Sequence, residues 1–300
     1  MSQSLHATAH CRVPRADGSC LQVSATVMLA PADGMARIKL SPSLRFHPAA
    51  ERIVEIIRSA RLAEPVPDER WRVTCDITPL PTPQERGWEL AVVLADRMAR
   101  GLWRPQANVL ALGCSDDWLG GALHVPLAEQ ACLDAVRPHA NTLCIRGAMT
   151  TDSMQVVLAS DWRVLGNIAE LCGQAASDGF MRRASTWFPA VWDGAADRLI
   201  RIDVVVRPLP TLLSAGDGPV SVFGLPRARH EEVTLVLEHA RQADPKGPGR
   251  WMTLVRFESA SFSGKSCELA LVLADRLARG REPRQRPEQK LIATGSSQNW

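Results

Sequence analysis

An α+β fold, a mixed sheet packed against helices and built twice along the chain, is the class this sequence predicts. Three observations lead to it. ELAVVLADRMARG, from Glu89 to Gly101, returns as ELALVLADRLARG, from Glu268 to Gly280, with changes only at Val92/Leu271 and Met98/Leu277. The match extends downstream, where VLALGCSDDW (Val109 to Trp118) aligns with LIATGSSQNW (Leu291 to Trp300), and upstream, where Trp71 and Trp251 each precede the shared segment. Around both copies, runs of period two alternate with segments of helical spacing. The repeat period far exceeds the ~20 to 50 residues of a solenoid, so duplicated domains are expected. Their expected bounds are residues 1–176, a linker at 177–197, and residues 198–300.

In copy one, LQVSATVMLA and ARIKLSPSL flank PADG and read as a hairpin. In HPAAERIVEIIRSARL, Ile53, Ile56, Ile57 and Ala60 recur at helical spacing, and Pro48 suits a first turn. WRVTCDITPL reads as a strand. The repeated segment Glu89 to Gly101 reads as a helix stopped by Gly101, and its narrow polar face predicts deep burial. Then follow a strand in NVLALG, a turn in LGGALHVP, a helix from about Leu127 to Val136, a strand in NTLCI, and a last strand and helix within Met154 to Ala175. Ser177 to Asp197 matches neither copy and reads as a linker, although Trp187, Phe188 and Trp192 predict that it docks on a domain. Copy two runs through RLIRIDVVVRPLP, GPVSVFG, a helix in HEEVTLVLEHARQA, a strand in WMTLVRFE and the repeated helix. It reads as truncated, because Trp300 is the counterpart of Trp118. An incomplete copy would leave that helix's flank wet at ~25 cal/mol per Å² of apolar surface, so a covering interface is expected.

Apolar residues make up 46% and charged residues 22%, the composition of a soluble globular protein. A net charge of +3 gives no reason to expect a nucleic-acid partner. The Arg-rich run Arg279 to Pro287 lacks interleaved aromatics and reads as a solvated loop. No apolar leader or membrane-length run is seen, which predicts a cytoplasmic protein. The eight cysteines form no CxxC pair and no cluster with His at zinc spacing, so neither metal, cofactor nor disulfide framework is expected.

The order of elements, with Val109 to Ile145 in particular, resembles the proteolytic domain of Lon-type serine peptidases. That resemblance implies two Lon-like modules, the second incomplete. In the family a serine begins the buried helix, where backbone N–H groups favour developing negative charge, and a lysine on a following helix is the base. Carried onto this chain, the serine position falls at Gly87 in copy one and at Ser266 in copy two, while the lysine position of copy one falls near Glu129. None of Lys39, Lys246, Lys265 and Lys290 occupies the lysine position. The resemblance therefore implies a non-catalytic scaffold or a module that binds protein or peptide, serving a separate ATPase or effector and able to self-associate. The alternative is a peptidase using Ser266 with a base from another chain or a missing segment.

Without a base, Ser266 reads as an N-cap. Gly264, Lys265 and Ser266 also form a GKS triplet between a strand and a helix, but Ser259 stands where a phosphate-binding loop requires glycine. Asp116 and Asp117 read as a solvated turn, since Gln298 and Asn299 replace them in copy two. His124 and His139 read as surface histidines without a ligand partner.

Overall fold

The computed structural model describes residues 6–29, 38–64, 71–119, 122–135, 141–149, 162–168, 170, 181–192, 195–209, 220–282 and 290–297. The chain folds as two compact units, Met1–Ser177 and Asp178–Trp300.

In the first unit, strands β1 (His6–Pro14) and β2 (Cys20–Leu29) pair antiparallel from His6↔Met28 to Pro14↔Cys20. The connection turns at Gly18, whose φ of 80° suits a residue without a Cβ. Leu21, Val23, Ala25 and Val27 point inward on the period of two. This corrects the expected hairpin. β3 (Ile38–Leu40) does not pair with β2 but runs parallel to β4 (Trp71–Thr78), which itself pairs antiparallel with β2. The hairpin partner of β2 is the N-terminal HATAHCRVP, whose alternation and following Asp-Gly carry the hairpin signal.

Helix α1 (Ala50–Leu62) buries Ile53, Ile56, Ile57 and Ala60 at the spacing read from the sequence, although Pro48 lies before the helix rather than in it. Helix α2 (Trp88–Ala99) packs against α1, β1 and β2. All of its residues from Trp88 to Arg97 are buried. It ends where Gly101 takes φ 73°. β5 (Asn108–Leu112) runs parallel to β1 and to β7 (Thr142–Met149). The short β6 (His124–Val125) and β8 (Trp162–Leu165) also pair with β7, giving the order β3-β4-β2-β1-β5-β7-β6 with β8 on β7. The helix expected from Leu127 to Val136 is a 3-10 turn, Leu127–Glu129, followed by the four-residue α3 (Cys132–Ala135). The helix expected before Ala175 lies largely outside the described residues.

The second unit begins with β9 (Arg182–Trp192), which pairs antiparallel with β10 (Ala195–Pro208). The segment expected to be a linker is therefore largely a strand of this sheet. Its Thr186, Phe188 and Ala190 alternate inward, and Phe188 meets Phe262 edge-on at 4.8 Å. β11 (Val220–Phe223) runs parallel and β10 antiparallel to β12 (Trp251–Phe257). The order is β11-β12-β10-β9, and beyond β9 a parallel bridge joins Trp187 to Ile292. This repeats the sequence β3-β4-β2-β1 followed by β5. Helices α4 (His230–Gln242) and α5 (Glu268–Ala278) pack together in this unit as α1 and α2 do in the first.

The repeat extends to buried charge. Asp96 on α2 receives Arg61 Nε at 3.0 Å and Arg100 Nε at 3.0 Å, and Arg100 also donates to Glu64. In the second unit Asp275 receives Arg241 Nε at 3.2 Å and Arg279 Nε at 2.7 Å, and Arg279 donates to Asp244. Each cluster ties a helix pair together from the inside. The helices differ in cover. Leu269, Leu273 and Leu277 on α5 are only half-buried, whereas Leu90 and Leu94 on α2 are sealed. No helix among the described residues is long and apolar enough to cross a membrane.

Candidate functional site at two equivalent helix N-termini

The strand following each repeated helix fixes its first turn. Leu90 N donates to Gly113 O at 2.9 Å and Gly113 N to Gly87 O at 2.9 Å; Leu269 N donates to Gly295 O at 3.0 Å and Gly295 N to Ser266 O at 3.1 Å. Gly87 and Ser266 therefore occupy the same place, at the positive end of an apolar helix whose first N–H groups lack intrahelical acceptors.

In the first unit that place is filled by Glu129. Its carboxylate accepts Arg86 N at 2.7 Å and Gly87 N at 3.0 Å, reaching back from the 3-10 turn after β6. The sequence positions assigned to serine and to lysine are thus in contact, but they hold a glycine and an acid. Burial raises the carboxyl pKa of Glu129, with Glu85 and Glu89 adding to the effect and the two N–H bonds opposing it. A Cβ on Gly87 would stand 2.5 Å from Glu129 Oε2 and also strike Leu112 Cδ1. The pocket has no room for a nucleophile's side chain.

Charged groups surround this cap. The sealed carboxylate of Glu89 accepts Arg52 Nε at 3.1 Å, Arg86 Nε at 2.9 Å and Trp118 Nε1 at 3.0 Å. Glu85 pairs with Arg15 through two bonds, at 2.9 and 2.8 Å. Asp116, which the sequence leaves in a solvated turn, is exposed but accepts Arg86 Nη1 at 2.9 Å, and that bond lowers its pKa. Asp117 accepts Leu119 N at 3.0 Å within the same turn.

His124 is half-buried rather than on the surface, and its Nε2 lies 3.2 Å from Cys114 Sγ. The pair is formed because His124 and Cys114 face each other across an antiparallel bridge. Burial pushes the Cys114 thiol up to about 12, against the pull of Arg86, so little thiolate exists near neutral pH. His139 lies outside the described residues.

In the second unit Ser266 is half-buried and Lys265 exposed. Neither side chain makes a hydrogen bond among the described residues, and the helix N-cap is Cys267 with no side-chain cap bond. Ser266 is therefore not the cap that its position suggests. Gly264 takes φ 77° with open space where a Cβ would lie, and its carbonyl accepts Arg229 Nη2 at 3.1 Å. The other lysines are elsewhere: Lys39 in β3, Lys246 after α4, and Lys290 over the ring of Trp187 at 5.7 Å.

No group of three or more His, Cys, Asp or Glu side chains is placed to hold a metal among the described residues. Sequence reasoning missed the Cys114–His124 pair, whose partners are ten residues apart without regular spacing, and the two buried Arg–Asp clusters. The repeated Asp-Arg and Arg-Gly at the ends of both helices were the available signal for the clusters. Models of known protein families give no match to this chain, and no curated protein matches it either.

Proposed function

We propose that the chain is a tandem, internally duplicated, Lon-peptidase-like protein that works without catalysis, as a cytoplasmic scaffold or protein- and peptide-binding module for a separate ATPase or effector. The observation that carries this reading is the pairing of Gly87 with Glu129. At the α2 N-terminus the resemblance calls for a nucleophilic hydroxyl facing a basic amine, and the chain instead supplies backbone N–H groups facing a buried carboxylate. An acid whose ordinary role is to accept those N–H bonds leaves nothing there to attack a carbonyl.

A peptidase reading is favoured by one feature: the Ser266 hydroxyl makes no hydrogen bond among the described residues, and the residue is half-buried at the equivalent place. That reading requires a base from another chain, since Lys265, its neighbour, is exposed and makes no bond to it. The two readings separate in one assay. Purified chain and Ser266→Ala are incubated with an unstructured protein and with fluorogenic peptides, and both are expected to be inert. Turnover that disappears in Ser266→Ala would overturn the non-catalytic reading.

A further inference from the structure

We infer that the outer edge of the second sheet, at residues 290–294, takes up an extended peptide strand from a partner, laid parallel to it and carrying a carboxylate beside Lys290. This deepens the reading of the chain as a protein- and peptide-binding module and rests on it. The first unit displays the filled form of the same edge. There β5 lies between β1 and β7, and Leu110, in register with Arg12 on one side and Cys144 on the other, is 2% exposed. In the second unit the parallel bridge Trp187↔Ile292 repeats Arg12↔Leu110. Trp187 N donates to Leu291 O and Ala293 N to Trp187 O, both at 2.9 Å, so the N–H and C=O of Ile292 face away from β9. They meet no backbone partner among the described residues, and Ile292 is 51% exposed. Such an edge is a template for a further strand.

Two further observations describe the occupant. A Cβ built on Gly113 would stand 3.1 Å from Gly147 N of β7 and 3.4 Å from His124 O, besides Leu90 Cδ2 at 3.3 Å. On Gly295, its counterpart, a Cβ would meet only Leu269 among the described residues, at 3.6 Å. The strand that closes over Gly113 thus has no equivalent over Gly295 among those residues, and Leu269 stays half-buried where Leu90 is sealed. Carried over from β5 and β7, the register sets Lys290, the counterpart of Asn108, opposite the position of Thr142, and Ile292 opposite that of Cys144. Lys290 is exposed and meets no carboxylate among the described residues, its ammonium lying over the Trp187 ring at 5.7 Å. Asp203, the acid on the nearby β10, is already held by Arg201 and Ser185. A partner strand with alternate apolar residues and an acid at its start therefore suits this edge. Its main chain supplies affinity, and the acid opposite Lys290 sets the register.

Hydrogen exchange at the Ile292 amide of the full chain, followed together with the anisotropy of a labelled peptide, gives the test. The probe has the sequence of residues 141–149, with Cys144→Ser against oxidation and Thr142→Glu to face Lys290. It is expected to bind saturably and to slow exchange at Ile292, while Leu110, already paired, is unaffected. Ile292→Pro removes the outward N–H but keeps both bonds to β9, and is expected to weaken binding about tenfold. Lys290→Glu, at an exposed position, leaves the backbone intact. It is expected to weaken the acidic peptide about threefold and to prefer a basic version carrying Thr142→Lys. No saturable binding, unslowed exchange at Ile292, undiminished binding by Ile292→Pro, or an unchanged preference in Lys290→Glu would each overturn the assignment. Exchange at Ile292 that is slow without peptide, in a chain that sediments as a dimer, would overturn it in favour of a second copy. The mass of the peptide reports separately on the non-catalytic reading, which cleavage would defeat. Binding that leaves Ile292 exchange unslowed would sink the edge and spare the binding-module reading.

Discussion

Gly87 and Glu129 form a lock with two halves, and each half predicts its own defect. A methyl group at Gly87 would enter the space of Glu129 Oε2 and Leu112 Cδ1, so Gly87→Ala is expected to cost about 1 to 3 kcal/mol through overpacking, read from urea denaturation. Removing the acid instead leaves two buried donors without their acceptor, and Glu129→Ala is expected to cost about 1 to 3 kcal/mol. The pH dependence of that cost has a definite sign. Because burial holds the folded-state pKa of Glu129 above its unfolded value, its contribution is fully present below the unfolded pKa and falls as pH rises through the folded one. The penalty for Glu129→Ala is therefore expected to be larger at about pH 4 than at pH 8. A penalty that grows with pH would show that the helix N-terminus, rather than burial, dominates the carboxyl group.

The repeated helices are stapled to their partners by buried ion clusters, and these were hardly legible as such. The apolar run in ELAVVLADRMARG announced burial, and α2 is buried from Trp88 to Arg97. What the run concealed is that Asp96 and Arg100 go inside too, because Arg61 and Glu64 from the preceding helix meet them there. Helical period shows which face is apolar, but it does not show whether a charged residue on that face will find an opposite charge 35 residues away. Strand pairing was hidden for the same reason. Alternation marked β2 correctly, but its partner could be chosen only by registering β1 and β4 against it. Removing the central carboxylate leaves Arg61 or Arg241 without its acid, while Arg100 and Arg279 keep Glu64 and Asp244, so Asp96→Asn and Asp275→Asn are each expected to cost about 3 to 5 kcal/mol in denaturant titrations near neutral pH. For Asp96, burial opposes ionisation but Arg61 and Arg100 overcome it and lower the pKa. Stability from this carboxylate is present above its unfolded pKa and is lost as pH falls through the folded one, so the Asp96→Asn penalty should fade in acid. Its trend with pH is opposite to that of Glu129.

At the scale of the molecule, the two units own separate cores. Cys11, Val23, Ile56, Leu90 and Ile145 belong to one continuous cluster, and Phe188, Ile202, Leu237, Val255 and Leu271 to another. Two unfolding transitions are expected, with Asp96→Asn moving one midpoint and Asp275→Asn the other. A single transition shifted equally by both variants would refute independent folding. The internal repeat made the two-unit plan readable without any structure. It misplaced the start of the second unit because β9 and β1 pair alike yet share little sequence: HATAHCRVP and RRASTWFPAVW match in alternation rather than in letters. Trp187, Phe188 and Trp192 suggested a docked tether, and backbone pairing made most of it a strand.

The order of strands in the first sheet also sets a timetable. β1 lies between β2, its neighbour in the chain, and β5, reached only when Arg12 meets Leu110 about a hundred residues later. Contacts of such long range slow folding because much of the chain must be closed into a loop before they form. On a ribosome adding about 5 to 20 residues per second, the β1–β2 hairpin, complete at Leu29, would wait roughly 4 to 16 s with one edge open before its central neighbour is made. During that interval His6 to Pro14 is an unpaired edge, alternating and partly apolar, and the nascent chain is at its most exposed to mispairing with the equivalent strand of another copy.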